Sequence, residues 1–144
     1  MAIPLDETCC VSIPRSVLGE IAALTRSQSE HVQTELTKLT AADHSPTHFV
    51  YKQYGDLKVF RCGGEMRLFG VILENIDIDG IGFDHLVLLL EVSEHDYDQA
   101  GVSRGQARKL QGKFGSLDSA EEFWEMLDGA VFDEDEIASI FDSD

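Results

Sequence analysis

The sequence predicts an α+β fold, with helices first and an antiparallel sheet after them. Between residues 17 and 39 apolar side chains recur at three and four positions, the spacing of helix faces. From residue 47 to 92 aromatic, β-branched and aliphatic residues come in short runs, punctuated by Gly55-Asp56, Gly63-Gly64 and the stretch 77–84. The two patterns are grouped rather than alternating, which separates α+β from a parallel α/β arrangement.

In chain order, Cys9–Ile13 (CCVSI) reads as a short strand stopped by Pro14, a residue that suits the first turn of a helix. That helix carries Val17, Leu18, Ile21, Ala22 and Leu24. After the polar SQS at 27–29, a second helix presents Val32, Leu36 and Leu39, and two antiparallel helices with a short link are expected. Residues 41–46 (AADHSP) form a loop, and 47–54 (THFVYKQY) read as a strand ending at Gly55-Asp56. Residues 57–69 (LKVFRCGGEMRLF) read as a hairpin turning at Gly63-Gly64, its second strand continuing to about Asn75. Residues 77–84 (DIDGIGFD) are a loop, and 85–92 an apolar strand.

Residues 116–127 (SLDSAEEFWEML) begin as a capped helix begins and place Phe123, Trp124 and Leu127 at helical spacing. Val131-Phe132 with Ile137, Ile140 and Phe141 mark a last amphipathic turn or two. The expected organisation is an α+β body over 1–114, in which two helices pack on a twisted antiparallel sheet of four to five strands. An acidic helical extension over 115–144 completes it.

Twenty-seven acids against eleven bases give a net charge of −16, while a hydrophobic fraction of 43% supports a real core. Such an imbalance suits a protein that stays soluble at very high salt, as in a halophilic archaeon, and it opposes general adhesion to nucleic acid or anionic membrane. The longest apolar run is too short to span a bilayer, and no basic-then-apolar leader opens the sequence, so a cytoplasmic location is expected. Cys9, Cys10 and Cys62 lack a CxxC pairing and read as reduced, partly buried thiols, with no zinc-ligand spacing. Asp77, Asp79 and Asp84 lack the twelve-residue calcium-loop pattern and its closing glutamate, so a solvated loop is expected there. Neither metal nor cofactor is called for.

Against the acidic background Lys58, Arg61 and Arg67 stand within ten residues of one another. Alternation along the hairpin is read as gathering them on one face, with Leu57, Val59, Phe69 and Val71 on the other. A second basic segment holds Arg104, Arg108, Lys109 and Lys113, after which residues 115–144 contain eleven acids and no base.

The stretch from about Cys9 to Gly101 resembles the RelE/ParE toxin superfamily, ribosome-dependent mRNA endonucleases and their relatives. The phrase that carries the resemblance crosses the central hairpin, from Leu57-Lys58 through Arg61 and Gly63-Gly64 to Arg67 and Phe69. An apolar strand then leads into Ser93-Glu94-His95-Asp96-Tyr97. The resemblance implies two N-terminal helices on a twisted antiparallel sheet, with Lys58, Arg67 and Tyr97 at matching site positions. Phe60 stands where a second lysine is expected, and the arginine usual before the tyrosine is absent, with His95 nearest. Implied partners are a cognate antitoxin protein and mRNA on the ribosome, with a homodimer as a further option.

Metal-independent RNA cleavage by the 2′-hydroxyl needs a base, an acid for the leaving 5′-oxygen, and cations at the phosphorus centre. Arg67 would hold the phosphate through its planar fork, with Lys58 adding a point charge. His95 would exchange protons and Tyr97 would orient the nucleotide or donate a proton. Lys52, Arg61, Arg104 and Arg108 would widen the RNA-binding surface. The plainer account makes Lys58 and Arg67 solvated strand charges, His95 an ordinary surface histidine and Tyr97 a strand-end anchor. On that account the scaffold is a non-catalytic interaction or regulatory module. The acidic extension likewise has two readings: a shield over the cations, or a helix docked through Phe123, Trp124 and Leu127, the second being favoured.

Overall fold

A computed structural model describes residues 9–40, 46–74, 76, 78–94, 104–127 and 130–141. Strand β1 (Cys9–Ile13) is followed by α1 (Arg15–Ala22), α2 (Arg26–Thr40) and a 3₁₀ turn, Pro46–Phe49. Then come β2 (Val50–Tyr54), β3 (Leu57–Cys62), β4 (Met66–Leu73) and β5 (His85–Ser93). Helices α3 (Arg104–Gly115) and α4 (Ala120–Met126), strand β6 (Ala130–Phe132) and helix α5 (Glu134–Phe141) follow among the described residues.

The fold is α+β as expected, but its sheet is mixed and six-stranded, in the order β2-β3-β4-β5-β1-β6. The expected antiparallel sheet of four or five strands is corrected at two points. β1 pairs parallel to β5, Cys9 against His85 and Ser12 against Leu88, and β6 joins β1 antiparallel within the 115–144 extension. All five residues of β1 are buried, because a strand covered on both faces has no alternation to show.

Helices lie on both faces. Val17 and Ile21 of α1, Val32, Leu36 and Leu39 of α2, and Ile137 of α5 pack with Phe60, Cys62, Met66 and Leu68 on one face. Ala107 and Phe114 of α3 and Phe123 of α4 pack with Leu57, Val59, Phe69 and Val71 on the other. Phe123 docks as expected, whereas Trp124 stays 45% exposed. The acidic extension therefore supplies a strand and two core aliphatic or aromatic anchors to the sheet.

Helix starts follow local chemistry. The SQS stretch, expected to interrupt the helices, instead lies in the first turn of α2. Thr25 and Gln28 close it reciprocally: the Gln28 N–H donates to Thr25 Oγ1 at 3.2 Å and the Thr25 N–H to Gln28 Oε1 at 3.1 Å. Asp133 and Glu136 repeat the arrangement at α5, and the Glu122 N–H donates to Ser119 Oγ at α4. At the β3–β4 turn Gly63 takes φ 68° directly under the His31 ring of α2, a position with no room for a Cβ.

Glu35 of α2 is a buried carboxylate, 6% exposed. Burial raises its pKa, an effect partly offset by Lys38. A carboxyl raised on folding binds its proton more readily in the folded state, so it favours folding as pH falls toward the ordinary glutamate range and opposes folding above the raised value. Glu35→Gln is thus expected to unfold at higher urea concentration than the parent at pH 7. The gap should close as pH is lowered into the range where an unfolded glutamate is itself protonated.

Candidate functional site

Two strand registers decide where the cations point. β3 and β4 pair Arg61 with Arg67, Val59 with Phe69 and Lys58 with Gly70. Cross-strand partners share a face and neighbours along a strand do not. Arg61 and Arg67 therefore lie on the side of Val59 and Phe69, the α3–α4 side, while Lys58 lies with Phe60 and Cys62 on the side of α2. The expectation that Lys58 joins Arg61 and Arg67 on one face, opposite Leu57, Val59, Phe69 and Val71, is corrected. Positions 58 and 61 differ by an odd number, and both faces of the sheet are covered by helices. Lys58 Nζ donates instead to Gln53 Oε1 at 3.1 Å and to the Gly55 carbonyl at 3.2 Å, across the β2–β3 turn.

The arginines converge on a residue that strand patterning did not single out. Between Val50 and Lys52 the β2–β3 register slips. Tyr51 stands at that irregularity, 41% exposed, on the edge strand of the sheet. Arg67 Cζ lies 5.2 Å from its ring centroid, Lys52 Nζ 5.3 Å and Arg61 Cζ 5.4 Å, all within cation–π range. Backbone carbonyls steady the guanidinium groups: Arg61 Nε donates to Gly63 O at 3.1 Å, and Arg67 Nη1 to Met66 O at 3.0 Å. The Gly63-Gly64 turn thus fixes the cations as well as joining the strands. An exposed aromatic beside a lysine on an edge strand was the available signal for Tyr51.

Arg104 and Arg108 open α3 and line a shallow depression with Tyr54, Gly55 and Asp56 at the β2–β3 turn. That turn is the far end of β3 from Arg61, roughly 13 Å away at strand rise, so the basic residues form two separate patches. His95 and Tyr97 lie outside the described residues.

The three cysteines are buried thiols. Burial pushes Cys9 up to about 12, with Cys10 adding to the effect, and burial with Asp133 and Glu136 pushes Cys10 up to about 11. Burial, reinforced by Glu35, raises Cys62 further still. Thiols so held are protonated at neutral pH and weak nucleophiles. Among the described residues no group of three His, Cys, Asp or Glu side chains is placed to hold a metal ion, and no helix is long and apolar enough to cross a membrane.

Comparisons with family models, with curated proteins and with solved structures give no match to this chain.

Proposed function

We propose that the protein binds single-stranded RNA, with Tyr51 as a stacking platform for a base and Arg67, Arg61 and Lys52 as phosphate ligands. The observation that carries this reading is the gathering of three cations within 5.4 Å of one exposed tyrosine ring. Sequence-tolerant recognition of single strands combines these two elements, a positive surface along the backbone and an aromatic face for the base. The net charge of −16 opposes attraction at a distance. At molar salt, however, the Debye length is about 3 Å, so bulk repulsion is screened while stacking and direct contact persist. A halophilic setting and a local RNA site are then compatible.

The wider reading is a RelE-like protein of a toxin–antitoxin pair, supported by the order of one strand, two helices and four consecutive strands from β1 to β5. Within it the binding or regulatory form is favoured over the nuclease, because Lys58 stands on the opposite face from Arg67. A cutting form would use Arg67 as phosphate ligand, with His95 as proton carrier and Tyr97 as nucleotide-orienting group, and would act without Lys58.

Fluorescence anisotropy with a labelled single-stranded RNA oligomer tests the proposal. Saturable binding is expected, weakened about tenfold or more in Tyr51→Ala and retained in Tyr51→Phe, since stacking on an aromatic ring contributes about 1–3 kcal/mol per base. Equal binding by Tyr51→Ala would remove the platform. Mapping RNA ends in the same samples separates the two forms: new ends that vanish in Arg67→Ala support cutting, and intact RNA supports binding alone.

A further inference from the structure

The two basic patches share one side of the sheet, and Lys52 stands between them. β2 and β3 pair Lys52 with Val59 and Tyr54 with Leu57. Val59 and Leu57 belong to the core beneath α3, so Lys52 and Tyr54 lie on that side too. Arg61 follows Val59 by two residues and keeps to the same side, with Arg67 opposite it across the hairpin. Along this edge the order is therefore Arg61 with Arg67, then Lys52, then Tyr54. Val59 is two residues from Arg61 and two from Leu57, which puts the Lys52 backbone about 7 Å from each end at strand rise.

Helix α3 supplies the far end of the line. Its Ala107 and Phe114 are buried and anchor it on the sheet. Arg104 and Arg108 are exposed, stand four residues apart, and meet Tyr54 and the Gly55-Asp56 turn around a depression of about 340 Å³. Gly55 takes φ 66°, which lets the chain reverse tightly at this point. Asp56 is the one acid among the described lining residues, so the depression keeps a net positive charge. With Lys52, Arg61 and Arg67, the two α3 arginines put five of the eleven Lys and Arg residues along one edge of a chain of net charge −16. An aromatic ring stands at each end, Tyr51 exposed and Tyr54 half-buried.

We infer that one RNA strand lies along this edge, from the Tyr51 platform past Lys52 to a second phosphate contact at Arg104 and Arg108. The inference rests on the RNA-binding reading and adds to it the path, and hence the length, of the bound strand. A span of roughly 13 Å takes about four nucleotides at the ~3.4 Å stacked spacing along one strand. That lies at the short end of the site sizes of single-strand-binding surfaces. Arg104 and Arg108 hold a phosphate through their planar forks, at the end of the footprint away from the stacked base. A dinucleotide seated on Tyr51 does not reach them.

Anisotropy titrations with a fluorescein-labelled uridine dinucleotide, hexanucleotide and dodecanucleotide, at one fixed salt concentration, test the path. The hexanucleotide should bind about tenfold or more tightly than the dinucleotide, and the dodecanucleotide within about threefold of the hexanucleotide. Arg104→Gln combined with Arg108→Gln should weaken the hexanucleotide about tenfold and leave the dinucleotide within about twofold. Lys109→Gln combined with Lys113→Gln removes the same charge from exposed positions of α3 outside the depression, and should leave both oligomers within about twofold. The path is overturned, with the Tyr51 platform left standing, if affinity does not rise from two nucleotides to six. The same follows if the arginine pair can be removed without loss, or if either the lysine pair or the dinucleotide shows an equal loss. Failure of every oligomer to bind the parent protein would overturn the path and the RNA reading together.

Discussion

Phe123→Ala is expected to lower stability by about 3–5 kcal/mol, the range for truncating a buried aromatic. Phe123 is 1% exposed, with its ring centroid 5.4 Å from Phe114 and 6.2 Å from Phe83, edge-to-face and tilted respectively. It is the single buried residue of a seven-residue helix, so its removal leaves α4 with only the Ser119 cap and Trp124 to hold it. The effect should reach α3 through Phe114 as well. Urea unfolding measures it as a lower midpoint, and Trp124→Ala, at a half-exposed position, should shift the midpoint far less. A small effect of Phe123→Ala would mean that the acidic extension is an appendage. A large one means that residues 115–144 belong to the fold, because β6 and Ile137 are built into the same sheet and core. The extension is then not available to serve as a displaceable shield.

Gly70→Ala should cost about 3 kcal/mol, at the upper end for overpacking. A Cβ at this position would stand 2.6 Å from the Leu88 carbonyl oxygen and 3.3 Å from its carbon. Both are backbone atoms of β5, so relief requires moving a strand rather than turning a side chain. The same displacement would disturb the β4–β5 register slip, where Phe69 pairs with Glu91 and Gly70 with Leu89. A lower urea midpoint, with NMR shifts running along β4 and β5, is the expected result. A midpoint unchanged from the parent would show that β5 yields freely there.

Most of the element order was legible in the sequence, because helical spacing, Gly-containing turns and capping residues are local signals. The polarity of the sheet was not. Cys9–Ile13 carries no trace of direction, and its parallel pairing with β5 follows from how two helices return the chain beside the last of four strands. β6 is three residues long and sits where helical spacing of Ile137, Ile140 and Phe141 dominates the pattern.

At the candidate site, Arg61 and Arg67 were singled out by their charge against the acidic background and by the hairpin phrase that holds them. The placing of Lys58 beside them failed on a point that the numbering contains, since strand faces alternate and 58 differs in parity from 61. Tyr51 was missed because its prominence comes from a register slip, which no single residue announces. Gly70, an isolated glycine inside a strand, is the local sign of close backbone approach, and its partner is visible only in three dimensions.

The most direct measurement compares Arg67→Ala with Lys58→Ala in the same RNA-binding titration. Both variants remove one positive charge from a strand of the central hairpin, and they differ in which face loses it. The account predicts that Arg67→Ala weakens binding about tenfold or more while Lys58→Ala leaves it within about twofold. Equal losses in the two variants, or a loss confined to Lys58→Ala, would contradict a site built on the Tyr51 face.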